Sequence, residues 1–385
     1  NLEGALNSAQ ESVSLAEVAF GSGALKTISS MLLQAQIHGE LDQLEEANQI
    51  YQVALETSVA AFGESDATTL SVLDNYGGFL NSIDPEMSES VLQEALRLTT
   101  EDDPQRAARL RALGLNLQEL GRIGEAEGML SEALKAYKKV LGENSPETLS
   151  SMADLAQLYL TQGKLKPAQE LFETALPLML EVMNKTSLLI LASKENLAEI
   201  YRQQGKFSLA EKLFLESMQG AVAEYGEEDS LVIQARSHLA QLYEDTGKLK
   251  KALLLHQQVY EVDLALLGEA HPNTAGDLNN LASVRRRLGD YQKAEKLFRQ
   301  SLKVMIAALG EETPQTVSVM NNLALLLENQ GLYDEAEPLF KKAFAISGKI
   351  QGEKHPTSLA LLNNLAFLNE SQGDFIRSEL NYKKV

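Results

Sequence analysis

Small and large apolar side chains recur along this chain at helical spacing, and the pattern restarts every 42 residues. One small position reads Gly114, Ala156, Ala198, Ala240, Ala282, Ala324 and Ala366. Seven residues after each comes a glycine: Gly121, Gly163, Gly205, Gly247, Gly289, Gly331 and Gly373. Five residues past the glycine another small series runs Ala126, Ala168, Ala210, Ala252, Ala294, Ala336 and Ser378. Nine past it stands a large one: Leu130, Phe172, Phe214, Phe298 and Phe340, with His256 as the exception. Twelve past it come Ala133, Ala175, Ser217, Val259, Ser301 and Ala343. Apolar positions three and four apart on both sides of the glycine predict a helix before it and a helix after it. The small residues let two backbones approach and the large ones fill the gap. The glycine ends the first helix, where a left-handed conformation is needed. A fixed period of this size reads as stacked units, each packed on its neighbours, rather than a single core.

A second punctuation separates the units. It reads Leu141-Gly142-Glu143, Leu267-Gly268-Glu269-Ala270-His271-Pro272, Leu309-Gly310-Glu311-Glu312-Thr313-Pro314 and Gln351-Gly352-Glu353-Lys354-His355-Pro356. Proline suits the first helical position, and the residue before it becomes the cap. Upstream the grid weakens. Phe20-Gly21 and Phe62-Gly63 lie 42 apart, but the turn near Ser82-Ile83-Asp84-Pro85 has no glycine. The link through Asp102-Asp103-Pro104 lacks the Leu-Gly-Glu insert. We therefore expect four segments: residues 1–23, the second helix of a truncated leading repeat; 24–103, two divergent acidic repeats; 104–354, regular repeats three to eight; and 355–385, a truncated ninth. Val385, 42 residues after Ala343, falls in mid-helix, so the chain is expected to be a piece of a longer protein.

These motifs resemble the tetratricopeptide repeat, in its 42-residue kinesin light chain-like form. The resemblance rests on Leu278-Asn279-Asn280-Leu281-Ala282, Met320-Asn321-Asn322-Leu323-Ala324 and the run from Gln330-Gly331 to Phe340, and covers roughly residues 20–385. It implies an all-α fold, a right-handed α-solenoid (superhelix) of antiparallel helix pairs. It also implies that the first helix of each unit lines a concave groove and that the protein is a scaffold or adaptor. The coiled-coil heptads that join kinesin light chains to the motor are not in this sequence.

Charge adds a second feature. The net charge is −20, and residues 1–103 hold eighteen acidic against two basic side chains, Lys26 and Arg97. Residues 247–306 are locally basic, with ten Lys and Arg against six Asp and Glu. The balance repels nucleic acid and anionic lipid, and the acidic quarter could dock a basic partner or simply keep the array soluble. No apolar run is long enough for a membrane span. There is no cysteine, hence no disulfide or thiolate site, and the compartment stays open between the cytoplasm and an organelle reached by a removed transit peptide. No His-Glu-x-x-His, phosphate-cradling glycine loop or nucleophile elbow occurs. His271 and His355 read as caps and His256 as a core residue, so no catalytic residue, metal or cofactor is expected and the chain is not read as an enzyme.

The binding candidates sit in the middle of the first helices. Two residues before the small position come Asn75, Ala112, Asp154, Asn196, His238, Asn280, Asn322 and Asn364. One residue earlier come Asp74, Arg111, Ala153, Glu195, Ser237, Asn279, Asn321 and Asn363. Asparagine is a mediocre helix former, and paired asparagines in three successive helices need a reason. Their amides can bond the backbone of an extended peptide, or tie neighbouring repeats together. The resemblance favours peptide binding at Asn280, Asn322 and Asn364. Arg202 and Arg286, one turn further on, would favour acidic groups on the ligand, although Glu244, Glu328 and Glu370 hold the same position elsewhere. The expected peptide-binding set is Asn196, Arg202, His238, Asn279, Asn280, Arg286, Asn321, Asn322, Asn363 and Asn364. The partner is expected to be a protein offering an extended or helical segment. A two-carboxylate clamp for a chaperone tail is disfavoured, since units three to five offer Ala112, Asp154 and Asn196. The alternatives are an organellar assembly factor or co-chaperone, and an oligomerisation or sensor module that self-associates through uncapped ends.

Overall fold

The computed structural model describes residues 2–384, so Asn1 and Val385, the outer limits of the expected end segments, lie outside it. Nineteen helices and no strand occur among the described residues. They run α1 Leu2–Phe20, α2 Leu25–Glu40, α3 Leu44–Phe62, α4 Ala67–Leu80, α5 Pro85–Leu98, α6 Arg106–Glu119, α7 Ile123–Leu141, α8 Pro146–Thr161, α9 Leu165–Val182 and α10 Leu188–Gln203. They continue α11 Phe207–Tyr225, α12 Ser230–Asp245, α13 Leu249–Leu267, α14 Pro272–Arg287, α15 Tyr291–Leu309, α16 Pro314–Asn329, α17 Tyr333–Gln351, α18 Pro356–Ser371 and α19 Phe375–Tyr382. The chain is an all-α solenoid of antiparallel helix pairs, in two compact units divided after Asn196.

The grid of small and large residues is the core. In the second unit Ala282, Ala294, Phe298, Ala324, Ala336 and Phe340 form one buried cluster across successive pairs. In the first, Ala156, Ala168, Phe172 and Ala175 are equally buried. Burying one phenylalanine side chain contributes about 1.5–3 kcal/mol, and the same contact recurs repeat after repeat.

Helix ends follow the punctuation. Ser145, His271, Thr313 and His355 cap α8, α14, α16 and α18, each with proline at the first helical position. The Nδ1 atoms of His271 and His355 accept the backbone N–H of Asn273 and Thr357. At the other end Gly289 takes φ 80°, and the Asp290 N–H reaches back to the Arg285 carbonyl at 3.0 Å. That bond closes the helix and absorbs a carbonyl that would otherwise be orphaned. One recurring contact escapes the apolar pattern. A buried hydroxyl in the first turn of the first helix donates to the carbonyl of the inter-repeat glycine. The pairs are Thr27 to Gly21, Thr69 to Gly63, Thr148 to Gly142, Thr316 to Gly310 and Ser358 to Gly352, all at 2.7–2.8 Å.

Where the grid fails, a salt bridge stands in for it. Arg109 on α6 is 4% exposed and forks onto both oxygens of Asp74 on α4. The same guanidinium donates to Thr99 and Asp103 in the link that lacks the Leu-Gly-Glu insert.

Candidate functional site

The asparagines meet across repeats with an offset of one. Asn322 on α16 donates its Nδ2 to Asn279 Oδ1 on α14 at 3.0 Å. Asn364 on α18 donates to Asn321 Oδ1 on α16 at 2.8 Å. Each rung joins residues 43 apart, the second amide of one pair to the first amide of the pair before it. In the first unit Arg111 and Asp154 occupy the same two positions and form an ion pair. Asn196 Nδ2 reaches Gln157 Oε1 at 2.6 Å.

An amide carries two N–H donors and an oxygen with two lone pairs. A rung consumes one donor of Asn322 and one lone pair of Asn279, leaving Asn321 Nδ2 and Asn322 Oδ1 uncommitted among the described contacts. Asn280 takes only a long 3.5 Å approach from Asn279 Nδ2. Asn363 is exposed and enters no described hydrogen bond. The stripe therefore presents both donors and acceptors on half-buried helix surface.

The expected cations lie differently. Arg202 is held by Glu199 within α10 and by Asp245 on α12, again 43 residues on. Arg286 is half-buried, its Nε has no hydrogen-bond partner, and desolvation lowers its pKa. Glu328, 42 residues on, is 7% exposed, and burial raises its carboxyl pKa against the pull of Arg286. Arg286 thus sits among packed helices. His238 packs its ring 5.8 Å from that of Phe214. The structure brings Asn279 to Asn322 and Asn321 to Asn364, and leaves Asn196, Arg202, His238 and Arg286 outside those rungs.

One buried network involves none of the residues expected from the sequence to bind a ligand. His256 stands where other repeats bury phenylalanine, 4% exposed, its Nε2 3.0 Å from Glu244 Oε1. Arg287 on the next repeat donates to Glu244 Oε2 at 3.2 Å and to its carbonyl at 2.8 Å. The odd histidine in the phenylalanine series was the signal for it. Among the described residues no cluster of three or more His, Cys, Asp or Glu is placed to hold a metal ion. No described helix is long and apolar enough to cross a membrane.

Residues 105–181, 189–265, 255–307, 274–347 and 315–385 match the family model of the tetratricopeptide repeat. No curated protein matches the chain. Among solved structures, apo RapI aligns over 93% of this chain and 96% of its own at 15% identity, with a TM-score of 0.69. The apo quorum sensor NprR of B. thuringiensis aligns over 92% and 97% at 16% identity, with a TM-score of 0.67. Both likenesses are of fold. BtubC (BKLC) of P. vanneervenii aligns over 67% and 93% at 24% identity, with a TM-score of 0.49.

Proposed function

Because the chain belongs to the tetratricopeptide repeat family, whose arrays act by binding other proteins, we propose that it is a non-enzymatic adaptor. It grips an extended or helical segment of a partner along the asparagine stripe of α14, α16 and α18. The observation that carries this reading is the spare hydrogen-bonding capacity of the amide rungs. Each rung spends about a quarter of what its two amides offer on joining repeats, which fixes the amide planes. The remaining donors and acceptors are then pre-oriented, so a peptide backbone binds them without a further ordering cost. Main-chain bonding of this kind gives affinity that depends little on ligand sequence, and neighbouring apolar contacts add selectivity. We further propose a cytoplasmic setting, to be checked by imaging the tagged full-length protein.

The test separates the two jobs of the amides. Partners are captured on the intact chain, identified, and titrated against two variants. Asn280→Ala with Asn363→Ala removes amides outside the rungs. It should weaken binding about tenfold, as loss of one or two hydrogen bonds does, with melting unchanged. Asn322→Ala breaks a rung and should lower both affinity and melting temperature. Undiminished affinity in the first variant would refute the proposal.

A further inference from the structure

We propose that a cavity between α2 and α4, in the first unit, receives an arginine side chain of a partner protein. The cavity encloses about 500 Å³, within the range of ligand pockets. Its wall carries two aromatic rings. Tyr51 is buried, stacked on Tyr76 with centroids 5.4 Å apart, and tilted against Phe79 at 5.1 Å. Phe79 is half-buried and lines the cavity. Two glycines make this possible. A Cβ on Gly39 would stand 3.4 Å from the Phe79 ring, so the ring packs directly against backbone there. A Cβ on Gly78 would meet nothing within 4 Å, and the missing side chain leaves the mouth open.

The polar groups around the rings are acceptors. Glu40 is exposed and forms no ion pair among the described residues. Asn75 spends its Nδ2 on the Ser71 carbonyl at 2.8 Å, and its Oδ1, an acceptor, has no described partner. Asp74, also lining the cavity, is tied down by the Arg109 fork. A free carboxylate, a free amide oxygen and an aromatic face together call for a planar cation with several donors. Guanidinium meets all three requirements: it forks onto carboxylate, stacks on the ring, and sheds water more readily than ammonium. Ile83 and Leu44, 41% and 37% exposed, supply apolar surface for its methylene stem. The surrounding residues 1–103 hold only Lys26 and Arg97 as basic side chains against eighteen acids, which steers a cationic segment to this face.

Asp74 and Asn75 hold on α4 the positions that the asparagines hold on α14, α16 and α18, but the site uses no residue of those three helices, so either proposal can fail alone. The probes are three blocked pentapeptides, glycine and serine around a central arginine, lysine or citrulline, titrated into the whole chain by ligand-observed NMR at about 0.15 M salt. The arginine peptide should bind, the lysine peptide about fivefold more weakly, and the citrulline peptide not measurably. Gly78→Leu keeps the charge and fills the mouth. It should cut arginine-peptide affinity at least about fivefold, with the circular dichroism spectrum unchanged. Glu40→Gln, on an exposed position, should do the same and decides the matter if Gly78→Leu folds poorly. No binding of the arginine peptide, equal binding of lysine and arginine, or full affinity in a folded Gly78→Leu or in Glu40→Gln overturns the proposal.

Discussion

Asp263 on α13 and Asp277 on α14 face each other from core positions, 6% and 8% exposed. Burial and the neighbouring carboxylate push Asp277 up to about 8, and its Oδ2 has no hydrogen-bond partner. The sign follows from which state holds the proton. In the unfolded chain Asp277 ionises near its ordinary value, while the folded chain keeps the proton until about pH 8. Stability is therefore full below about pH 4, falls as the pH rises toward 8, and levels off above it. Asp277→Asn should remove the slope, leaving the melting temperature unchanged near pH 4 and raising it by several degrees at pH 8. Thermal melts of both proteins across that range check this, and parallel curves would show that the fold does not hold the proton on Asp277. His256 and Glu244 show the opposite solution to a buried polar group: each has its partner, across helices and then across repeats.

At the scale of the helix pair, the turn glycine and the aspartate that replaces it between α2 and α3 can be compared directly. Gly289 sits at φ 80° with open space around it, so Gly289→Ala meets no neighbour and costs only backbone strain, about 1–2 kcal/mol. Asp42, in the turn between α2 and α3, is the non-glycine residue with positive φ among the described residues, at 60°. Asp42→Gly relieves that strain and should stabilise by up to about 1 kcal/mol, offset in part by the greater freedom of glycine when unfolded. Urea unfolding of both variants reads the opposite signs, and a loss in each would mean Asp42 is held by contacts rather than tolerated. The glycine turns, the capping residues and the alternation of alanine with phenylalanine were legible in the sequence, because each is a local requirement repeated on one grid. The amide rungs were not. A period of 42 aligns equivalent positions, whereas Asn279 meets Asn322 at 43, an offset set by the stagger of α16 against α14. The role of Arg109 was hidden for a related reason: its partners Asp74, Thr99 and Asp103 lie where the period itself breaks down. The paired asparagines signalled that something polar happens at mid-helix, but only the packing says that part of their capacity is spent on the neighbouring repeat.

In a solenoid each repeat leans only on its neighbours, so a charge imbalance acts where it lies rather than on the molecule as a whole. Residues 1–103 hold eighteen acidic and two basic side chains, whereas residues 104–196 of the same compact unit carry eleven of each. The acidic repeats therefore repel themselves at low ionic strength while the next repeats do not. Their interior is built to the same plan, with Ala35, Tyr51, Tyr76 and Leu80 buried together, so weaker packing is not the expected source of any difference. Screening at about 0.5 M salt shortens the reach of exposed charges to a few ångströms and should relieve the repulsion. Amide hydrogen exchange of the whole chain at about 0.02 M and about 0.5 M sodium chloride separates the regions. Salt should slow exchange several-fold more in α2 to α5 than in α6 to α9, because only the former lose a net repulsion. The Arg109 bridge joins the two regions, and salt weakens it little because its guanidinium is 4% exposed. A uniform change across α2 to α9 would instead mean that salt acts through apolar burial. The acidic excess would then cost the fold nothing, and steering of cationic ligands would be its only remaining physical effect.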